Sequence, residues 1–321
     1  MDIIKREKDQ SFWRRLNYTM GKPRSGSVWQ VLVENDKNET LTEHVTQESV
    51  QEAVFNNIHR KRFYLAEGAP ACNERLRGLF QYNATTVTAQ QILQGQYVYP
   101  ADFEQATRDI CEECARIKKS GIKKDSMRTV ITKEDWKKQW RGRQESTSSS
   151  ESGLHFGYYI AGCQSDHIAY FHALKATLVV KRGMVLDRWA RGLLVMLEKM
   201  SGCALITKLR SILLMEADFN STNKILYGNR MLHAVRQHKL MPEEIYSERN
   251  CLSDDGPLAK VLFYDIVCQA RLPTGISAVD ADNCYDWIAH PIASLVFQSL
   301  GVPQRACKPM LSTIHDMKFF L

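Results

Sequence analysis

Between two helical patterns the chain carries a short apolar run, Ile276 to Val279, that ends directly on Asp280. Pro273 stops the helix before it, and a helical pattern resumes over Tyr285 to Leu300, closed by Gly301 and Pro303. A strand this short is stable only when it pairs with others and covers an apolar layer. A second candidate strand lies at Lys208 to Met215, where Ile212, Leu213 and Leu214 are bounded by charges. The chain therefore needs a small sheet inside a largely helical frame, which is the α+β class.

The helical frame is written in caps and periodicity. Thr46 can cap a helix to about Arg60, with Val50, Val54 and Ile58 every fourth residue. Thr88 to Leu93 suits a short helix. Asp102 can cap a longer one with Phe103, Ala106, Ile110 and Cys114 on one face. Thr132 precedes Glu134 and Asp135 and the pair Trp136 and Trp140 at helical spacing. Further helices are expected over Asp166 to Val180, over Leu186 to Met200 with Leu186, Trp189, Leu193 and Leu197 on one stripe, after Asp218 or Asn220, and after Ser253. The run Ser146 to Gly153 reads as a linker or mobile loop. It divides a mostly helical region, 1–145, from a second region, 146–321.

Composition narrows the function classes. The chain has 321 residues, 44% of them apolar, and no stretch approaches the roughly 20 apolar residues of a membrane span. The charged start, Met1 to Arg15, has no apolar core of a signal peptide, so an intracellular location, cytoplasm or nucleus, is expected. Nine irregularly spaced cysteines do not form a secreted disulfide framework. Cys111 and Cys114 make a CxxC within a helical pattern, where a zinc site would need two further ligands. The net charge of +7 permits a polyanionic partner, and the basic residues gather in runs such as Lys118 to Lys124 and Lys137 to Arg143. Such runs also serve simply as solvated faces.

The segment Ile276 to Asp286 places Asp280 at a strand end, Tyr285 five positions on, and then Asp286. Upstream, Lys208-Leu209-Arg210-Ser211-Ile212-Leu213-Leu214 is followed by Asp218-Phe219-Asn220, Lys224-Ile225-Leu226 and Asn229-Arg230-Met231. In this order the two segments resemble motif A of the palm and the finger pattern of reverse transcriptases from non-LTR retroelements. Ser148 to Tyr159 resembles the loop that opens the finger domain, and Trp189 with Met196 to Lys199 resembles the helix before the finger strand. The matches span about residues 146–320.

This resemblance implies a fingers segment followed by a partial palm, and RNA-templated DNA synthesis. In that reaction a primer 3′-hydroxyl attacks a deoxynucleoside triphosphate and releases pyrophosphate. It implies an RNA template, a DNA primer and Mg2+ as partners, with no membrane. Asp280 would be the catalytic metal ligand, with the Ala281 carbonyl beside the metal. Magnesium takes carboxylate and phosphate oxygens, and two ions clamp the attacking and leaving oxygens. Lys208 and Arg210 would grip the triphosphate, Arg through its planar fork. Tyr285 would lie under the sugar and exclude a 2′-hydroxyl. Arg249 and Ser253 match a template contact, whereas Glu248, Asn250 and Cys251 depart from it, and Glu248 would repel phosphate.

The aromatic-x-Asp-Asp turn that completes the family's metal site is absent from the 35 residues after Asp286. Asp254-Asp255 precedes motif A and suits a helix start instead. The chain alone is therefore expected to be inactive, and the apolar end Phe319-Phe320-Leu321 reads as the inside of an element in a truncated domain. Two alternatives stand beside this reading. One is a non-catalytic RNA- or DNA-binding remnant; the other is a helical interaction protein whose motif matches are accidental.

Overall fold

A computed structural model describes residues 30–35, 40–61, 74–119, 127–144, 150–200, 202–240, 255–275 and 288–320. It is α+β, with much helix and two small sheets. Strands β1 (Val31–Asn35) and β2 (Thr40–His44) form an antiparallel pair, followed by α1 (Gln47–Lys61). Helices α2 (Glu74–Phe80), α3 (Val87–Gln94) and α4 (Gln105–Lys119) come next, then α5 (Lys133–Trp140), α6 (Phe156–Gly162) and α7 (Asp166–Arg182). A hairpin of β3 (Arg191–Glu198) and β4 (Leu209–Leu214) leads into α8 (Ala217–Asn223). That helix continues through a π-helical stretch, Lys224–Met231, into α9 (Leu232–Gln237). The described chain closes with α10 (Asp255–Gln269), α11 (His290–Ser299), α12 (Gln304–His315) and β5 (Lys318–Phe320).

Local sequence explains several boundaries. The Thr132 hydroxyl accepts from the Asp135 amide while the Asp135 carboxylate accepts from the Thr132 amide, a closed capping box at the start of α5. Ser165 caps α7, and Gly183 ends it in the left-handed region, φ 64°. Thr86 caps α3 and Gly95 ends it in the same way. Asp102 does not cap α4; its carboxylate is 2.7 Å from Arg75 instead. The buried face of α4 carries Thr107, Cys111, Cys114 and Ala115, and Ala106 is exposed. Cys111 and Cys114 thus face the core as the helical pattern requires. Burial pushes their thiols up to about 11 and about 12, which disfavours the thiolate a metal needs.

Four cores draw residues from both sides of position 145. Phe80, Ile92, Phe103 and Cys111 meet Leu295 of α11. Trp136 and Trp140 pack with Tyr159, Ala169, Ala173 and Ala176. Met127 joins Val180, Leu226, Val302 and Leu311. Val31, Val50 and Val54 pack on Leu194, Met196 and Leu209 of the hairpin.

The helix expected over Leu186 to Met200 is not formed. Residues 191–198 are a strand that pairs antiparallel with β4 and parallel with β5. The physical reason is arithmetic. Leu193 and Leu197 are four apart, and four residues return to the same face in a strand as well as nearly so in a helix. The buried residues are Gly192, Leu194 and Met196, which alternate as a strand does. Gly192 is tight here, because a Cβ would come within 2.6 Å of Leu213 and 2.8 Å of Met317. The strand expected at Lys208 to Met215 is present as Leu209–Leu214, with Lys208 ending the 3-10 turn Ile206–Lys208. Leu209 is buried, Arg210 to Ile212 are open to solvent and Leu213 and Leu214 are half-buried, so the strand as a whole is not a buried one. The strand expected at 276–279 lies outside the described residues.

Candidate nucleic-acid interface

The β3–β4 hairpin has two unlike faces. Across the pair, Leu197 opposes Arg210, Val195 opposes Ile212 and Leu193 opposes Leu214. Directly opposed residues share a face. The other face, with Leu194, Met196 and Leu209, is buried under β1 and α1. A backbone bond from Leu32 to the Ala204 carbonyl, 2.9 Å, ties β1 to the hairpin loop. The covering layer therefore fixes the hairpin from behind and leaves the Arg210 face open. Arg210 and Ile212 are exposed there, and Leu193, Val195 and Leu197 are half-buried.

Two more cations mark the hairpin tip. The Lys199 amide donates to the Lys208 carbonyl at 2.9 Å, so these residues sit across from each other where the strands end. Lys199, Lys208 and Arg210 are all exposed, and no carboxylate among the described residues pairs with any of them. The acid closest in sequence, Glu198, accepts from the Gly202 amide at 2.8 Å and is committed to the turn. The result is three positive charges beside an apolar strip, with no carboxylate of the described residues opposing them. Such a surface can hold phosphate oxygens on the cations and lay bases or sugars on the aliphatic side chains.

A buried ion cluster holds the hairpin ends. Lys175 of α7 reaches the Asp218 carboxylate at 2.8 Å, and the Trp189 indole N–H donates to its other oxygen at 2.8 Å. Arg188 bridges Asp218 and Glu216, and the Ser150 hydroxyl donates to Glu216. Both carboxylates are 1% exposed, whereas Arg188 and Lys175 keep about a quarter of their side-chain surface open. Burial alone would push the Asp218 carboxyl up. Lys175 and Arg188 outweigh it and hold the carboxyl below its usual range. Arg188 lies just before β3, and Glu216 and Asp218 lie just after β4, so the cluster clamps the base of the hairpin.

His172 is adjacent, stacked on Trp136 at 5.7 Å between ring centres. Burial, then the Lys175 charge, holds its pKa below the ordinary 6.5. The unfolded chain therefore takes up a proton at a higher pH than the folded one, and stability falls as pH drops below about 6.5. His172→Phe keeps the stacking without the titration. Urea unfolding at pH 7 and pH 5 is expected to show a smaller loss for this variant than for the wild type; equal losses would assign the acid sensitivity elsewhere.

Lys208 and Arg210 are thus brought together, with Lys199 as a third cation that sequence reading placed in a helix. Asp280, Ala281, Tyr285, Arg249 and Ser253 lie outside the described residues. No family model matches the chain, and no curated protein matches it. Among the described residues no group of three His, Cys, Asp or Glu side chains gathers to hold a metal. Glu216 and Asp218 do not fit one either, because their oxygens are already taken by Arg188, Lys175, Trp189 and Ser150. No helix among the described residues is long and apolar enough to cross a membrane.

The buried cluster escaped the sequence reading because its members are scattered over residues 150 to 218. One signal was available. Glu216 and Asp218 interrupt the apolar run Leu213-Leu214-Met215 and Ala217, Phe219. Acids inside such a run must find buried partners.

Proposed function

We propose that this chain is the fingers and part of the palm of a reverse-transcriptase-type polymerase, whose β3–β4 hairpin contacts phosphates of a primer–template and its incoming deoxynucleotide. The supporting observation is the open hairpin face, on which Arg210 and the tip lysines meet no carboxylate of the described residues, its back sealed by β1 and α1. The order of the segments from Lys208 through Asp286 supports the same reading. Mg2+ belongs to this proposal through Asp280 and the Ala281 carbonyl. One carboxylate leaves the metals poorly positioned, so these 321 residues alone are expected to bind without extending a primer.

The test is fluorescence anisotropy with a labelled RNA–DNA hybrid that carries a recessed primer. Binding should weaken steeply between 50 and 200 mM salt, as counterion release requires. Absence of binding at low salt would favour a helical interaction protein. A second reading, a purely non-catalytic nucleic-acid binder, draws on the same cations. Titration of a deoxynucleoside triphosphate into the hybrid complex separates the two: the polymerase reading expects it to bind and to bind more weakly after Lys208→Ala with Arg210→Ala, whereas no triphosphate binding would favour the non-catalytic reading.

A further inference from the structure

Helix α10 (Asp255–Gln269) stands apart from the packed body of the chain. None of its residues enters a hydrophobic core of the described residues. Leu258, Val261, Leu262, Phe263, Tyr264 and Ile266 are each between 50% and 62% exposed. Half of a side chain of this size is roughly 100 Å2, so these six show on the order of 600 Å2 to water. A monomer seldom leaves more than a few hundred Å2 of contiguous apolar surface uncovered, and a specific dimer buries roughly 800 Å2 per partner. A helix that is apolar on every side belongs inside a packed assembly.

The charges beside one face of α10 select what covers it. Val261, Tyr264 and Cys268, spaced three and four apart, line that face. The Tyr264 phenol and the Cys268 thiol are hydrogen-bonded to each other along it. Lys260 flanks this seam on one side and Asp265 on the other, both exposed. Neither forms an ion pair among the described residues. They are five residues apart, and side chains of one helix pair only at three or four. A second copy of the helix lying parallel brings Lys260 beside Asp265 of the other copy, and symmetry makes the contact twice. An antiparallel copy would set each flank against itself.

We propose that two copies of this chain associate through α10, packed in parallel along Val261, Tyr264 and Cys268, with Lys260 of each copy against Asp265 of the other. No residue of the β3–β4 hairpin takes part, so the proposal does not rest on the polymerase reading.

Sedimentation equilibrium of the full chain tests it, and a dimer is expected at micromolar concentration. Lys260→Glu should weaken the dimer roughly three- to tenfold, because two attractions become repulsions. Lys260→Glu with Asp265→Lys should restore the wild-type affinity, a rescue that a folding defect would not give. Val261→Asp should raise the dissociation constant at least roughly tenfold, since the pairing would bury a carboxylate. The parallel arrangement sets Cys268 against Cys268 of the second copy. Mild oxidation with diamide should therefore link the dimer by a disulfide, and Cys268→Ser should abolish that link. A chain that stays monomeric at tens of micromolar overturns the proposal and leaves α10 to another part of this chain or to a different partner. A dimer indifferent to Lys260→Glu and Val261→Asp, or one that oxidation does not link through Cys268, overturns it equally.

Discussion

Replacing Asp218 by alanine is expected to lower the stability of the folded chain by about 3–5 kcal/mol, the range for breaking a buried ion pair from one side. The carboxylate is 1% exposed and accepts from Lys175, Arg188 and the Trp189 indole. Its removal strands the Lys175 ammonium and leaves Arg188 with Glu216 alone, on side chains that keep only about a quarter of their surface in water. It also leaves the indole N–H without its acceptor, a further desolvation cost. Asp218→Asn should cost less, because the amide oxygen still accepts from Trp189. In a chain of this size the alanine variant should melt roughly 5–7 °C lower. The loss should fall on the hairpin, since Arg188 and Asp218 join the residues before β3 to those after β4. Hydrogen exchange of Leu194 to Leu197 would report that loosening. A loss below about 1 kcal/mol would mean that water already reaches the cluster in solution.

The second large effect is on binding. Lys199→Ala, Lys208→Ala and Arg210→Ala together are expected to weaken binding of an RNA–DNA hybrid at least roughly tenfold at low salt. The logarithmic salt slope should fall by about 3, near one unit per phosphate contact removed. The fold should survive, because all three side chains are exposed and lack ion partners among the described residues. Arg210→Lys is informative beside it. The charge remains, so the slope should hold, while affinity falls because an ammonium cannot grip two phosphate oxygens in one plane. An unchanged slope in the triple variant would show that phosphates are held elsewhere on this chain of net charge +7.

Much of the helical frame was legible because its ends are written in single residues. Thr132 with Asp135, and Gly301, each do locally what their side chain or its absence allows. The two Trp residues four apart do face one core. The strands were less legible. In β3 a spacing of four satisfies both periods, and pairing with β4 settled which one the chain uses. In β1 and β2, five-residue runs among polar residues carry little signal by themselves, and their partners on the hairpin are about 160 residues away. The same distance effect concealed the Glu216–Arg188–Asp218–Lys175 cluster, whose charges look solvated when read one at a time. Of the candidate site, Lys208 and Arg210 were singled out by the resemblance to the finger pattern, and Lys199 joined them only when the strands were paired.

The most direct test of the polymerase reading is photo-crosslinking of a primer–template with 4-thiouridine in the template strand at the primer terminus, followed by mapping of the attached peptides. Crosslinks are expected in the hairpin, Arg191 to Leu214, and in residues 276–287, reduced when Lys199, Lys208 and Arg210 are changed to alanine. Crosslinks confined to basic runs of the first half, such as Lys137 to Arg143, with the hairpin unlabelled, would contradict it.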